Sequence, residues 1–365
     1  MIVTIILFLI IFGLVVISHE FGHFLIGKRN GIRVVEFAVG MGPTLFSFTK
    51  GETKYSLKLF PIGGACMFDG EDGVMSGDEG IDEHSFLGAN VWARIAAVFA
   101  GPLFNFLLAF VFSLILVGFN GSDRPVVQQI MEDSAAEEAG IMAGDEIVKI
   151  NGERIRIYRE ITLISALNKG DDMDIQISRN GETKNVTLTP RYSSEDGRYY
   201  IGLRGAGEFI KCGPLQVFQY SVYEVRYWVK ATYKSLLILL QGQAKKEDVS
   251  GPIGIAQFVG ETYEEVKPDG ISSIIFTMMN IVILLSVKLG IFNLLPLPAL
   301  DGGSRLNIPR LTDSRITIFI IVNIIDEIPY GFTSSYVSPT NWAIPIGPET
   351  SSFFACPCSS IRRLL

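Results

Sequence analysis

The sequence predicts a polytopic α-helical membrane protein. It has three convincing transmembrane helices and a fourth that is missing or degenerate. A β-hairpin region lies on the cytoplasmic side and an α/β domain outside the cytoplasm. Three observations carry this reading. Residues 1–18 and 95–122 contain no charged side chain, and residues 271–300 contain only Lys288. A bilayer crossing takes about 20 apolar residues. Between the second and third of these runs the chain changes to short alternating strands and Asn-Gly turn pairs, the pattern of a water-exposed α/β domain.

Composition narrows the class further. Of 365 residues, 48% are hydrophobic and 19% charged, which excludes disorder and a collagen-like chain. Four scattered cysteines do not make a disulfide scaffold. A net charge of -7 with no basic stripe argues against nucleic acid as a partner.

The first helix is expected over residues 1–27. A cleaved signal peptide fits poorly, because the run is too long and lacks both a basic n-region and a small-residue cleavage site. Lys28 and Arg29 follow at once, so the positive-inside rule puts this end in the cytoplasm and the N-terminus outside. Residues 28–90 read as a cytoplasmic-side loop with a membrane-associated β-hairpin, alternating over Tyr55–Phe60 and closed by Pro61-Ile62-Gly63-Gly64. An acidic run from Asp69 to Glu83 reads as a solvated loop. The second span, 91–120, returns the chain to the outside. Residues 205–268 carry aromatic side chains among spaced charges and suit amphipathic helices at the membrane surface.

The chemistry lies in His19-Glu20-Phe21-Gly22-His23. Positions i and i+4 share a helix face, so both imidazoles can hold one Zn²⁺ while Glu20 takes a proton from metal-bound water. Two of the chain's three histidines are here, at the end of an apolar span, where an ionisable cluster is costly unless it works. A zinc peptidase needs a third protein ligand. His84 lies in the acidic loop and reads as solvated. Asp301 is the better candidate: it ends the third membrane segment, 271–303, after Pro296 and Pro298 have broken the helix.

These residues resemble a known family. His19–His23 together with Asn293, Pro296, Asp301 and Gly302 look like the two signatures of the site-2 protease family of intramembrane zinc metalloproteases. Further matches are Phe60–Gly64, Ala100-Gly101-Pro102-Leu103-Phe104-Asn105 and Ser250–Ile255. The resemblance covers about residues 1–303 and is nearest the bacterial regulator-of-sigma-E protease branch with one PDZ domain, carried here by residues 124–192 and chiefly by Ala139–Gly152. It implies a zinc endopeptidase of the bacterial cell membrane that cuts transmembrane segments of pre-trimmed, single-span proteins such as anti-sigma factors or remnant signal peptides. It assigns Glu20 as catalytic residue and His19, His23 and Asp301 as ligands. Asn293 would hold the substrate backbone; Asn105 and Pro102 would shape the site wall. The strand near Tyr55–Phe60, with Gly63 and Gly64 beside it, would pair with substrate. The active site would lie near the cytoplasmic face, with the PDZ domain outside, binding an extended peptide or free C-terminus.

The pattern breaks after Gly303. Ile316–Ile325 is too short to span, and residues 304–365 form an atypical tail. A reading-frame change or truncation is the expected origin. Cys356 and Cys358, one residue apart, do not complete a zinc site. Two functions therefore stand at this stage: an intramembrane zinc peptidase, or an impaired relative that only binds peptides at the membrane.

Overall fold

Helix α1, Ile2–Arg29, forms because its apolar run has no proline and ends on Lys28 and Arg29, whose charge suits a helix C-terminus. The computed structural model describes residues 2–70, 82–193, 198–204, 208–241 and 252–295. Two further helices, α2 (Val91–Asn120) and the last described one, Ile271–Leu294, are also long and apolar enough to cross a membrane, as the sequence led us to expect.

Beyond its first turn, the exposed large side chains of α2 are Phe99, Leu103, Leu107, Val111, Ile115 and Phe119, an apolar stripe at four-residue spacing. Its opposite face is lined by Gly101, Asn105, Ala109 and Ser113, all buried. Small side chains let neighbouring backbones approach closely. A Cβ added at Gly22 of α1 would stand 2.4 Å from the Ala100 carbonyl oxygen, so these two helices cross backbone to backbone. The Asn90 side chain caps α2 by accepting the Trp92 N–H at 2.8 Å.

Strands β1 (Val34–Lys50) and β2 (Thr53–Phe68) follow α1 and turn at Gly51-Glu52. Gly51 has φ 65, as a primed hairpin turn requires of its first central residue. Both strands bend at left-handed glycines, Gly40 and Gly42 in β1 and Gly63 in β2. The bends double the register. Lys54–Leu57 pairs with Phe46–Thr49 on one side and Glu36–Val39 on the other, and the far side of Glu36–Val39 pairs with Gly64–Met67. Among the described residues Gly64–Met67 is therefore an edge, and Lys54–Leu57 is interior. This narrows the sequence expectation that Tyr55–Phe60 receives a substrate strand: Tyr55–Leu57 is already paired on both sides, while Lys58 and Phe60 pair on one side, with Thr44 and Met41. Alternation marks a strand but says nothing about which strand ends at the edge.

An α/β unit follows α2. It comprises β3 (Ser122–Arg124), β4 (Gln129–Ile130), α3 (Ala135–Glu138), β5 (Glu146–Ile150), β6 (Glu153–Arg154), α4 (Tyr158–Leu167), β7 (Met173–Arg179), β8 (Glu182–Leu188), β9 (Arg191–Ser193), β10 (Arg198–Tyr200), β11 (Leu203–Arg204) and β12 (Glu208–Ile210). Four strands form a sheet in the order β6-β5-β7-β8, over a core that includes Ile147, Ile150, Ile161, Ile175 and Ile177. The unit closes on its own start, β11 pairing with β4 and β12 with β3. It thus runs to Ile210, past the boundary of 192 read from the sequence, because strands of two or three residues carry no legible alternation.

Helices α5 (Pro214–Leu240) and α6 (Pro252–Val266) occupy the stretch expected to hold amphipathic surface helices. Each buries one face in the bundle. Tyr227, Trp228 and Ala231 of α5 pack with Leu116 and Val117 of α2 and Ile283, Leu284 and Val287 of the last helix, α7 (Ile271–Leu294). Ile255 and Val259 of α6 pack with Phe8, Ile11 and Phe12 of α1. Leu215, Phe218 and Val222 of α5 remain exposed. Helix α7 is enclosed along nearly its whole length, and Lys288 lies within it fully buried.

Candidate metal centre

Three helices meet at His19. It lies on α1 ten residues before Arg29, about 15 Å along the axis, and is 5% exposed. His23 follows one turn later, 7% exposed. Their Nε2 atoms are 3.2 Å apart. Two imidazoles on one tetrahedral zinc, with Zn–N bonds of about 2.0–2.1 Å, place their nitrogens about 3.3–3.4 Å apart. The observed separation therefore fits two ligands of a single ion.

Helix α2 shapes the space for the rings. A Cβ at Gly101 would stand 2.3 Å from His23 Nε2 and 2.8 Å from His19 Cε1, so only glycine fits there. The Ala97 carbonyl lies 2.8 Å from His23 Nδ1 and accepts its proton, which leaves Nε2 as a lone-pair donor. Asn105, fully buried on the same face, has its amide 3.1 Å from His19 Nδ1. From α7, the Asn293 amide reaches to 3.3 Å of His19 Nε2. Gly290, one turn earlier on α7, allows the approach: a Cβ there would press on Phe106 at 3.1 Å and on the Pro102 carbonyl at 3.3 Å.

The hairpin reaches the site through its edge. Glu20 Oε2 accepts the Cys66 N–H at 2.8 Å, and a Cβ on Gly64 would stand 3.1 Å from Glu20 Cγ. The end of α1 is pinned to the same hairpin. Lys28 Nζ donates to Thr53 Oγ1, which donates to the Val34 carbonyl. The Phe68 ring lies over Gly27, where a Cβ would come within 2.4 Å of it.

The structure thus gathers His19, Glu20, His23, Asn105, Asn293 and Gly64. Gly63 stands one residue along, at φ 90 and against Met41. Pro102 is buried inside α2, next to Gly101, and meets α7 through its carbonyl. His84 is exposed, its Nδ1 3.2 Å from the Gly31 carbonyl, and takes no part. Among the described residues no cluster of three His, Cys, Asp or Glu side chains is arranged to hold a metal, and Asp301 lies outside the described residues. Sequence reasoning missed the Ala97 carbonyl and the Cys66 N–H, because backbone groups leave no residue-type signal.

A family model for peptidase family M50 matches residues 7–309. The chain belongs to this family, the site-2 proteases. As an M50 member it is a metallopeptidase. It is 31% identical to the zinc metalloprotease RasP of Geobacillus kaustophilus, over 82% of this chain and 87% of that protein. It is also 31% identical to the regulator of sigma-W protease RasP of Bacillus subtilis, over 82% of this chain and 88% of the relative. A solved PDZ domain of the SdrC-like protein from Listeria monocytogenes is 22% identical over 22% of this chain and 85% of that one, with a TM-score of 0.21. The M50 match ends close to the point where the sequence pattern breaks.

Proposed function

We propose that this M50 peptidase is a zinc-dependent intramembrane endopeptidase that cuts within transmembrane segments of single-span proteins already trimmed outside the membrane. Anti-sigma factors and remnant signal peptides are the substrate classes. The observation that carries the reading is the His19–His23 pair, buried where three apolar helices meet, with its Nε2 atoms 3.2 Å apart. A soluble zincin has no reason to hold its motif ten residues inside such a helix.

His19, His23 and Asp301 would hold the zinc. When bound there, zinc lowers the pKa of a water to about 7 and steadies the oxyanion. The rest of the chemistry belongs to the chain. Glu20 takes the proton of the attacking water and returns it to the leaving amine. Asn293 orients the substrate backbone. A helical substrate hides its peptide bonds, so it must unwind, and its freed N–H and C=O groups need partners inside the membrane. The Gly64–Met67 edge supplies them by strand addition. Leu45, Phe46, Phe48, Leu59 and Phe60 are exposed apolar residues of the hairpin, which supports its insertion at the membrane. The centre faces the cytoplasmic side of a bacterial cell membrane. The α/β unit is an extracytoplasmic PDZ domain that admits peptides or free C-termini.

The test is cleavage of a single-span reporter with a shortened extracytoplasmic part, in membranes carrying the parent chain, Glu20→Gln or His23→Ala. Cutting by the parent alone is expected. An uncut reporter in every membrane, with no zinc in the purified parent, would leave the impaired peptide-binding relative as the correct reading.

A further inference from the structure

A histidine that gives Nε2 to a metal carries its proton on Nδ1, and that N–H needs an acceptor to fix the ring. The two histidines solve this differently. His23 uses the Ala97 carbonyl, a backbone atom that no substitution removes. Facing His19 Nδ1, at 3.1 Å, is the Asn105 carboxamide.

As placed, Asn105 turns its Nδ2 toward the ring and leaves its Oδ1 buried with no hydrogen-bond partner among the described residues. The two amide atoms are alike in size, and half a turn about χ2 exchanges them. In the exchanged orientation Oδ1 gains the Nδ1–H of His19, which selects the tautomer with a free Nε2, and Nδ2 takes the place that Oδ1 held. The position supports this. Asn105 is fully buried and stands one turn beyond Gly101 on a face otherwise made of Gly101, Ala109 and Ser113. A carboxamide in such a seam is unfavourable unless it is bonded.

We propose that Asn105 is a positioning residue for the metal. Its carboxamide oxygen accepts the His19 Nδ1–H and so holds the imidazole in the tautomer and plane that aim Nε2 at zinc. This rests on reading His19 and His23 as zinc ligands, and it goes beyond a role for Asn105 as part of the site wall. A residue that merely tied α1 to α2 would matter for stability and leave the metal alone.

The experiment measures zinc affinity of the purified full-length chain in detergent, by competition with a chromophoric chelator, for the parent, Asn105→Ala, Asn105→Asp and His23→Ala. Thermal unfolding of each protein without zinc serves as the fold control. Asn105→Ala is expected to bind zinc about 10–100-fold more weakly, the usual loss when a ligand's supporting partner is removed. Asn105→Asp keeps the volume, and its carboxylate only accepts, so it should match the parent or exceed it. Parent-like affinity in Asn105→Ala, or equal weakness in Asn105→Ala and Asn105→Asp with the fold intact, overturns the assignment of Asn105 alone. A parent that binds zinc no better than His23→Ala overturns the zinc reading and this assignment together.

Discussion

Glu20 Oε2 accepts the N–H of Cys66 at 2.8 Å, so the carboxylate of the peptidase motif is bonded to the edge strand beside it. Gly64 completes the contact, since a side chain there would press on Glu20 Cγ and on the Ala38 carbonyl, each at 3.1 Å. An arriving strand that pairs with this edge competes for the same N–H. Glutamine can still accept from Cys66 but cannot take a proton from water, whereas alanine can do neither. Glu20→Gln should therefore abolish cleavage and keep the Cys66 amide protected from hydrogen exchange. Glu20→Ala should abolish cleavage and speed that exchange about tenfold or more. Equal exchange in both variants would mean that the bond holds nothing in place.

Gly101→Ala tests the shaping of the centre from α2. Its methyl would stand 2.3 Å from His23 Nε2, in a crossing where the backbone cannot retreat. Zinc content of the purified variant should fall to background while circular dichroism stays that of the parent. Chelation should silence the parent reversibly and change nothing further in Gly101→Ala.

Arg159 of α4 lies between Asp123 of β3 and Glu224 of α5, and all three side chains are at most 5% exposed. Its guanidinium also lies 5.0 Å from the Tyr227 ring centroid, so one cation fastens the α/β unit to the bundle. Truncating it would remove the cation that two buried carboxylates share. Arg159→Ala should cost about 3–5 kcal/mol of that docking. Limited proteolysis would report it as much faster cutting between β8 and α5, with cleavage inside the sheet unchanged.

Asp145 and Arg179 govern the acid limit of the α/β unit. Burial pushes the Asp145 carboxyl up, but a two-pronged bond from Arg179 at 2.7 Å and the Met142 N–H at 2.8 Å hold it below the ordinary carboxylate range. A depressed native pKa contributes stability that is present above the unfolded value of about 3.9 and lost as pH falls through the native one. Amide protection in β5 and β7 should thus be flat from pH 7 to about 5 and fall below about 4. Asp145→Asn should lower it at neutral pH by about 2–3 kcal/mol and flatten the acid slope, the pair being strong but Arg179 partly exposed.

The spans, the His19–His23 motif and the place of the α/β unit were legible in the sequence, because each depends on residues near one another along the chain. Apolar runs of bilayer length have few alternatives, and i and i+4 on a helix must share a face. The family resemblance also drew attention to Asn105, Asn293 and Gly64, which the structure brings to the same point. What they do there was not legible. The roles of Ala97 and Cys66 come from backbone atoms, which any residue type supplies. The order of the doubled hairpin was hidden for a related reason. Alternation over Tyr55–Phe60 marks a strand, and only the bends at Gly40, Gly42 and Gly63 decide that Gly64–Met67 becomes the edge. The sequence by itself determined that this is a membrane chain with an H-E-x-x-H histidine pair on one helix face, since periodicity and apolar length are local quantities. The tertiary structure alone decided which atoms face that pair. Contacts between Gly22 and Ala100, or Gly101 and His23, exist only where helices cross, and their fit turns on tenths of an ångström that no residue pattern encodes.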